Sequence, residues 1–326
     1  MKSQITFLMP LIALALCATA TAAQRDFPVS ATASQADVYP DRVTRFEGGV
    51  SSLADVTYSV LPGYRPLVLD LYLPPGKATH PLVVYVHGGG WVGGNTRHSG
   101  ALTDFPRALA RLASEGFTVA SVEYRLSSEA PFPAQLQDLR AALRYLRANA
   151  AMYRIEPDKV AIWGGSAGGQ LSALAALSCG DHSLDPVKKD SPPAGSECVQ
   201  GAVIWYGIFD FAPMAARPDA AITALLGCKE NCGKAIRRAS PITYLDSKDP
   251  PFLLVHGEQD RTVDVSQSRN FEAAARKLGL KVRSIYIPGV DHSFVGQSPD
   301  ATRKATLDAT NATFDFFHEL FPGNHP

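Results

Sequence analysis

Behind the apolar run Val160-Ala161-Ile162-Trp163 the chain reads Gly164-Gly165-Ser166-Ala167-Gly168, the spacing G-x-S-x-G. Glycines two places before and two places after a serine let a strand turn sharply into a helix, because no Cβ crowds either arm of the turn. The turn lifts the serine Oγ to the carboxyl edge of a parallel sheet, where a helix starting at Ala167 favours developing negative charge. Such a serine suits nucleophilic attack on an acyl carbon. About eighty residues earlier stands a second glycine signature, His87-Gly88-Gly89-Gly90-Trp91, again behind an apolar run, Leu82 to Val86. Its backbone N–H groups can converge on an oxyanion only if side chains stay away, which is what consecutive glycines provide.

A serine hydroxyl is a weak nucleophile and needs a base that a third group orients. The chain has 8 histidines. His87 belongs to the glycine loop and suits a bracing role, and His256 ends an apolar run just before Gly257, where a structural role fits. His80, His98, His182, His318 and His325 read as loop or helix-end surface residues. His292 follows the last strand signal in Pro288-Gly289-Val290-Asp291-His292-Ser293-Phe294 and is the candidate general base by elimination. The orienting acid should leave the preceding strand, and Asp260 is the candidate. Glu258 and Asp264 are the alternatives, each also suited to a solvated position or to capping a helix near Ser266. Gly89, Gly90 and Ala167 are the candidate oxyanion donors, each worth about 2.7–4 kcal/mol in activation free energy. Trp91, Trp205 and Tyr206 are candidates to line the acyl or alcohol pocket, although buried aromatics serve cores as readily. The order Ser166, Asp260, His292 along the chain is that of the α/β-hydrolases.

These residues need a scaffold that brings distant segments to one sheet edge. Val56 to Val60 and Leu67 to Tyr72, parted by Pro62-Gly63, predict an antiparallel hairpin. From Leu82 on, strand and helix signals alternate: strands at Thr118–Val122, Val160–Trp163, Ala202–Trp205, Phe252–Val255 and Val282–Ile287. Leu136, Leu139, Leu143 and Leu146 fall at helical spacing, and Thr103 is placed to cap a helix carrying Phe105, Leu109 and Leu112. Ser298-Pro299 opens a final helix. The alternation predicts an α/β fold, a doubly wound, mostly parallel sheet with helices on both faces. Residues 206–250 read as a small helical cap inserted between two strands of a domain spanning 51–326.

The N-terminus, Met1-Lys2 followed by an apolar stretch and then Ala18 to Gln24, has the form of a secretory signal peptide over residues 1–23. A lipoprotein anchor at Cys17 is the rival, opposed by the bulky Leu16 before it. Residues 24–50 lack a clear period and read as an N-terminal arm. The roughly 300 residues left suit one large α/β domain. Lys+Arg and Asp+Glu balance at 31 each, which gives no reason to expect nucleic acid or an anionic membrane surface as partner. No later segment is long and apolar enough to span a bilayer. The sequence therefore points to a secreted or periplasmic protein; it sets no oligomeric state.

Four cysteines remain after the leader, and an even number in an exported chain predicts two disulfides with three possible connectivities. Proximity favours Cys179–Cys198 and Cys228–Cys232. The first would close a loop of about 19 residues, worth roughly 3 kcal/mol in the chain-entropy picture. The alternatives are four free thiols or a zinc site, and zinc is disfavoured because no histidine sits at ligand spacing beside Cys228 and Cys232.

His87 to Trp91, Tyr124-Arg125-Leu126-Ser127, Glu129-Ala130-Pro131-Phe132-Pro133-Ala134-Gln135 and Trp163 to Gly169 together resemble the bifunctional feruloyl and acetyl-xylan esterases. These are α/β-hydrolases near the hormone-sensitive-lipase-like esterases. The resemblance runs from about Val56 to the last helix. It implies a cofactor-free ester hydrolase with Ser166, Asp260 and His292 in the triad positions, no metal, and a small-molecule or polysaccharide-linked ester as substrate. Asp138 matches a structural position of that group. The chain departs from it in its cysteine pairs and at Ser178 to Val199, so substrate choice does not transfer with the mechanism. A serine peptidase of the prolyl-oligopeptidase kind is the rival enzyme, disfavoured by the lack of room for a large extra domain. A catalytically dead hydrolase fold used for binding is the rival outside enzymes, disfavoured by the intact set of residues.

Overall fold

Leu82–Val86, Thr118–Val122, Val160–Trp163, Ala202–Trp205 and Phe252–Val255 are buried along their whole length, as strands covered on both faces must be, whereas Val282–Ile287 at the sheet edge is half-buried throughout. A computed structural model of the chain describes residues 43–186, 195–214 and 219–323, which belong to one compact unit. Among the described residues nine strands form one sheet: β1 (Val43–Arg45), β2 (Ser51–Ser59), β3 (Leu67–Leu73), β4 (His80–Val86), β5 (Thr118–Val122), β6 (Ile155–Gly165), β7 (Gly201–Trp205), β8 (Phe252–Gly257) and β9 (Val282–Ile287). Their order is β1-β2-β3-β5-β4-β6-β7-β8-β9. The pairs among β1, β2, β3 and β5 are antiparallel, and every pair from β5 through β4 to β9 is parallel. The predicted mostly parallel, doubly wound sheet is thus the observed one. The expected signal peptide and most of the expected arm lie outside the described residues. The described end of the arm, residues 43–50, holds β1, a three-residue exposed edge strand too short to show a period, followed by a 3-10 turn at Glu47–Gly49.

Side chains alternate across the sheet and build two cores. In β4, Leu82, Val84 and Val86 face one core and Val83 and Tyr85 the other. β6 repeats this with Val160 and Ile162 against Ala161 and Trp163, and β7 with Ala202 and Ile204 against Val203 and Trp205. The first core is covered by α2 (Ala134–Ala148), α4 (Ala167–Leu177) and α7 (Ser266–Lys277), through residues such as Leu139, Leu171 and Phe271. The second is covered by α1 (Phe105–Ser114) and α8 (Pro299–Leu320), through Leu109 and Phe317. A one-turn helix, α3 (Ala150–Tyr153), links α2 to β6.

Two helix starts test the capping expectations. α8 begins as predicted, with Ser298 Oγ accepting from Ala301 N. α1 does not: its cap is Asp104, whose carboxylate accepts from Arg107 N at 3.1 Å, rather than Thr103. The carboxylate sits three residues before that N–H, the distance a cap side chain spans.

Between β7 and β8 the chain carries α5 (Ala220–Leu226) and α6 (Gly233–Ala239). Asp219 caps α5, Gly227 ends it in the left-handed region at φ 64°, and Ile222, Leu225 and Leu226 bury its inner face. Phe132 N–H donates to Leu225 O at 2.7 Å, tying α5 to the Pro-Phe-Pro segment ahead of α2. Cys228 is bonded to Cys232 in the turn after α5, and Cys179 to Cys198 after α4, with Cα–Cα distances of 5.8 and 4.9 Å.

Candidate active site

Ser166 stands in the tight strand-to-helix turn between β6 and α4 with φ 56° and ψ −121°, a strained conformation for a non-glycine residue. Its N–H donates to Trp205 O at 2.9 Å, which fixes the turn to β7. The flanking glycines are obligatory on steric grounds. A Cβ on Gly164 would lie 2.4 Å from Gly168 O, and one on Gly168 would lie 2.1 Å from Val86 O.

Asp260 leaves β8 and His292 leaves β9, and the parallel pairing of these strands delivers both to the edge where Ser166 stands. His292 Nε2 is 3.0 Å from Ser166 Oγ, and His292 Nδ1 is 2.7 Å from Asp260 Oδ2. Burial pushes the Asp260 carboxyl up, but hydrogen bonds from His256 and His292, the His292 charge and the Val263 N–H outweigh it and hold it well below the usual carboxylate range. The ionised Asp260 keeps the proton of His292 on Nδ1, so Nε2 is free to accept from the serine hydroxyl. By linkage this pairing stabilises the folded chain above the ordinary aspartate pKa and is lost as pH falls through the depressed one.

The glycine loop lies across the serine. A Cβ on Gly88 would come within 3.5 Å of Ser166 Cβ, and Gly89 has φ 107° with only 2.3 Å between its would-be Cβ and Gly93 O. Among the described residues, none accepts a hydrogen bond from the N–H of Gly89, Gly90 or Ala167, so these donors remain available to a ligand oxygen. The loop is braced from behind. His87 stacks on Tyr124 at 4.3 Å, and Tyr124 OH donates to His87 O at 3.0 Å. Burial lowers the His87 pKa to about 4, so the ring is neutral near pH 7. Downstream, Thr96 Oγ1 and Arg97 Nε both donate to the buried Asp70 on β3, at 2.7 and 2.8 Å.

Two of the three aromatic pocket candidates fall elsewhere. Trp205 shares the Val203 face of β7, so strand alternation turns it into the α8 core, where Nε1 donates to Thr313 Oγ1 at 3.0 Å. Trp91 is 2% exposed and packs in the first core, its ring 5.6 Å from that of Phe211, with Nε1 donating to Gln170 Oε1 at 3.0 Å. Tyr206, one residue past the strand, does line the cavity of about 430 Å³ that contains Ser166 and His292. Its ring stands edge-on to His292 at 4.7 Å.

The alternative acids are engaged elsewhere: Glu258 accepts from Arg269 at 2.6 Å, and Asp264 accepts from Ser266 N at 2.9 Å. Asp138 is buried against Arg125, whose N–H, Nε and Nη2 all donate to it. One group of potential metal ligands occurs among the described residues, His182, Asp185 and Glu197. Arg140 lies 2.7 Å from the Asp185 carboxylate and Arg144 lies 3.7 Å from that of Glu197, so arginines already meet the negative charge.

A family model described as BD-FAE matches residues 69–275, more than half of the chain. The chain belongs to the BD-FAE family. The resemblance carried by the two glycine signatures and the Tyr124 to Gln135 segment is thereby borne out. Esterase LipQ of Mycobacterium tuberculosis is 33% identical over 255 residues, 74% of this chain and 57% of that protein. The BD-FAE chain thus spans little more than half the length of that curated relative. Among solved structures, a truncated carbohydrate esterase from gut microbiota superposes with a TM-score of 0.70 at 30% identity, covering 85% of this chain and 98% of that one. A bifunctional GH43-CE protein of Bacteroides eggerthii gives a TM-score of 0.70 at 30% identity, covering 83% of this chain and 38% of that one. The fold is that of the α/β-hydrolases.

Two supports of the BD-FAE site make contacts that the sequence does not show. His256 is fully buried, and its Nε2 faces two oxygen acceptors, Val263 O at 2.8 Å and Asp260 Oδ2 at 3.2 Å. Nε2 therefore carries a proton, and Nδ1 accepts from Ser268 Oγ at 2.7 Å. Its burial was legible, but its approach to Asp260 depends on the return of the chain after β8. The second support is Asp291. Its Oδ1 accepts from His292 N at 2.7 Å and from Arg261 N at 2.9 Å, while Oδ2 accepts from Arg261 Nε at 2.6 Å. The backbone N–H groups of Arg261 and His292 hold its carboxyl below the usual range. One carboxylate thus joins the loop of Asp260 to the loop of His292. Asp291→Ala is expected to lower kcat on p-nitrophenyl acetate roughly 10- to 100-fold with KM little changed. Asp291→Asn should lose less, because its amide oxygen keeps both backbone N–H bonds. Equal losses in the two variants, or a change confined to KM, would refute this positioning role.

Proposed function

We propose that the protein is an exported serine esterase that cleaves carboxylic esters through an acyl-enzyme, with acetyl or feruloyl esters of plant polysaccharide as substrates. The observation that carries the reading is the continuous chain Ser166 Oγ, His292, Asp260 set beneath unoccupied N–H donors of Gly89, Gly90 and Ala167.

In this mechanism Ser166 Oγ bonds to the ester carbon as its proton passes to His292 Nε2, and the carbonyl π electrons move onto oxygen under the three N–H groups. The tetrahedral species collapses, the C–O bond to the alcohol breaks, and the imidazolium of His292 protonates the leaving oxygen. Water repeats the sequence on the acyl-enzyme, His292 taking its proton and returning one to Ser166. Asp260 stays ionised throughout and stabilises the imidazolium. The insertion over residues 206–250 acts as a small cap: α5 brings Ala221 within van der Waals reach of Gly90, where a Cβ would meet it at 3.7 Å.

The substrate class is supported by family membership and by the carbohydrate esterase that shares 30% identity. Export is supported by the leader-like residues 1–23 and by the two cysteine pairs, and no helix among the described residues is long and apolar enough to cross a membrane. An ester panel tests the reading: p-nitrophenyl esters from acetyl to octanoyl, methyl ferulate and acetylated xylan. The expected result is turnover of the short acyl esters, with release of acetate from acetylated xylan or of ferulate from methyl ferulate. Turnover of p-nitrophenyl esters with neither acetylated xylan nor methyl ferulate cleaved would reject the polysaccharide reading and leave a general carboxylesterase.

A further inference from the structure

An ester that reacts at Ser166 must send its two halves in different directions. The leaving oxygen takes its proton from His292, so the alcohol half lies on the His292 side of the scissile bond. The carbonyl oxygen lies on the side of Gly89 and Gly90, where α5 stands over the loop. The way past His292 leads along two loops. Gly100 and Ser293 line the Ser166 cavity, and Ala101 and Gly296, a few residues further on, line a second groove of about 740 Å³. Backbone bridges Ser99–Leu102 and Val290–Gly296 hold both loops in place. Gly100 rests against Ser293 at the junction, where a Cβ would lie 3.4 Å from Ser293 O.

We propose that this groove, between residues 101–103 and the first turns of α8, is a subsite for the alcohol half of the substrate, an uncharged oligosaccharide. The proposal rests on the esterase reading above. Both cavities have volumes typical of small-molecule sites. The groove offers the chemistry that a sugar ring needs. Gln297, Asp300 and Arg303 line it, and among the described residues none of their side chains makes a hydrogen bond or ion pair, so donors and acceptors stand ready for hydroxyl groups. Thr306 is 5% exposed and its buried hydroxyl has no partner. Leu307, 46% exposed, gives the apolar surface that the C–H face of a pyranose covers. One acid and one base leave the groove without net charge, which matches a neutral ligand rather than an anionic one.

The test compares wild type with the triple variant Gln297→Ala, Arg303→Ala, Leu307→Ser on p-nitrophenyl acetate and on acetylated xylotriose. The variant should raise KM for acetylated xylotriose about tenfold or more at nearly constant kcat, the signature of lost uniform binding. Its kinetics on p-nitrophenyl acetate should stay within about twofold of wild type. Unacetylated xylotriose should inhibit the wild type competitively and the variant far more weakly. If the wild type cleaves acetylated xylotriose and the variant does so equally well, the subsite is overturned and the esterase reading stands. If the wild type cleaves p-nitrophenyl acetate but not acetylated xylotriose, the occupant is wrong and the proposal falls with the polysaccharide reading. If it cleaves neither, the esterase reading itself has failed.

Discussion

Replacing Ser166 with alanine is expected to lower kcat on p-nitrophenyl acetate by at least about four orders of magnitude while leaving the fold intact. The size of the loss follows from what the change removes. Without Oγ no acyl-enzyme can form, and His292 Nε2 loses the hydroxyl 3.0 Å away from which it takes a proton. The oxyanion donors survive, so a small residual rate above the uncatalysed one remains. Alanine costs little structurally, because the Ser166 N–H that bonds Trp205 O is a backbone group and, among the described residues, the side chain bonds only His292. A fluorophosphonate probe should label the wild type and not the variant. Turnover within tenfold of wild type, with circular dichroism unchanged, would remove Ser166 from the mechanism.

The second large effect is expected at Asp260, where four donors converge: the N–H groups of Thr262 and Val263 on Oδ1, and His292 Nδ1 and His256 Nε2 on Oδ2. In Asp260→Asn the amide oxygen would keep the two backbone donors, which leaves an NH₂ group facing both imidazoles. His292 can meet that group only by moving its proton to Nε2, and in that tautomer it cannot accept from Ser166. The expected loss in kcat is about 10³- to 10⁴-fold at pH 7, with KM little affected. Glu258→Gln and Asp264→Asn are the matching controls and should keep most activity, since their carboxylates serve Arg269 and Ser266 N. A comparable loss in either control, or a loss below tenfold in Asp260→Asn, would move the orienting role elsewhere.

Much of the scaffold was readable because buried strands and glycine turns leave strong local marks. Five consecutive apolar residues in β4, ended by His87 and three glycines, can hardly be anything but a central strand feeding a loop. β1 left no such mark, being short, exposed and at the sheet edge. The cap of α1 shows a finer failure: Thr103 and Asp104 are both good caps, and only the path of the backbone decides which side chain reaches Arg107 N. Trp205 failed for another reason. It is one of the pocket candidates, but the face of a strand residue depends on register, and register places it with Val203 over α8.

The sequence by itself determined the doubly wound sheet, the family and the identities of Ser166, Asp260 and His292 as candidates, because each follows a strand whose pattern is local. Tertiary structure alone decided that these three side chains meet within hydrogen-bond distance, that Trp91 and Trp205 serve cores while Tyr206 faces the cavity, and that Asp291 and His256 hold the base and the acid. Those outcomes depend on how parallel strands β6, β8 and β9 align and on where the loops after them turn. Spacing along a chain carries no record of such alignment, since it is fixed only when separate segments pack.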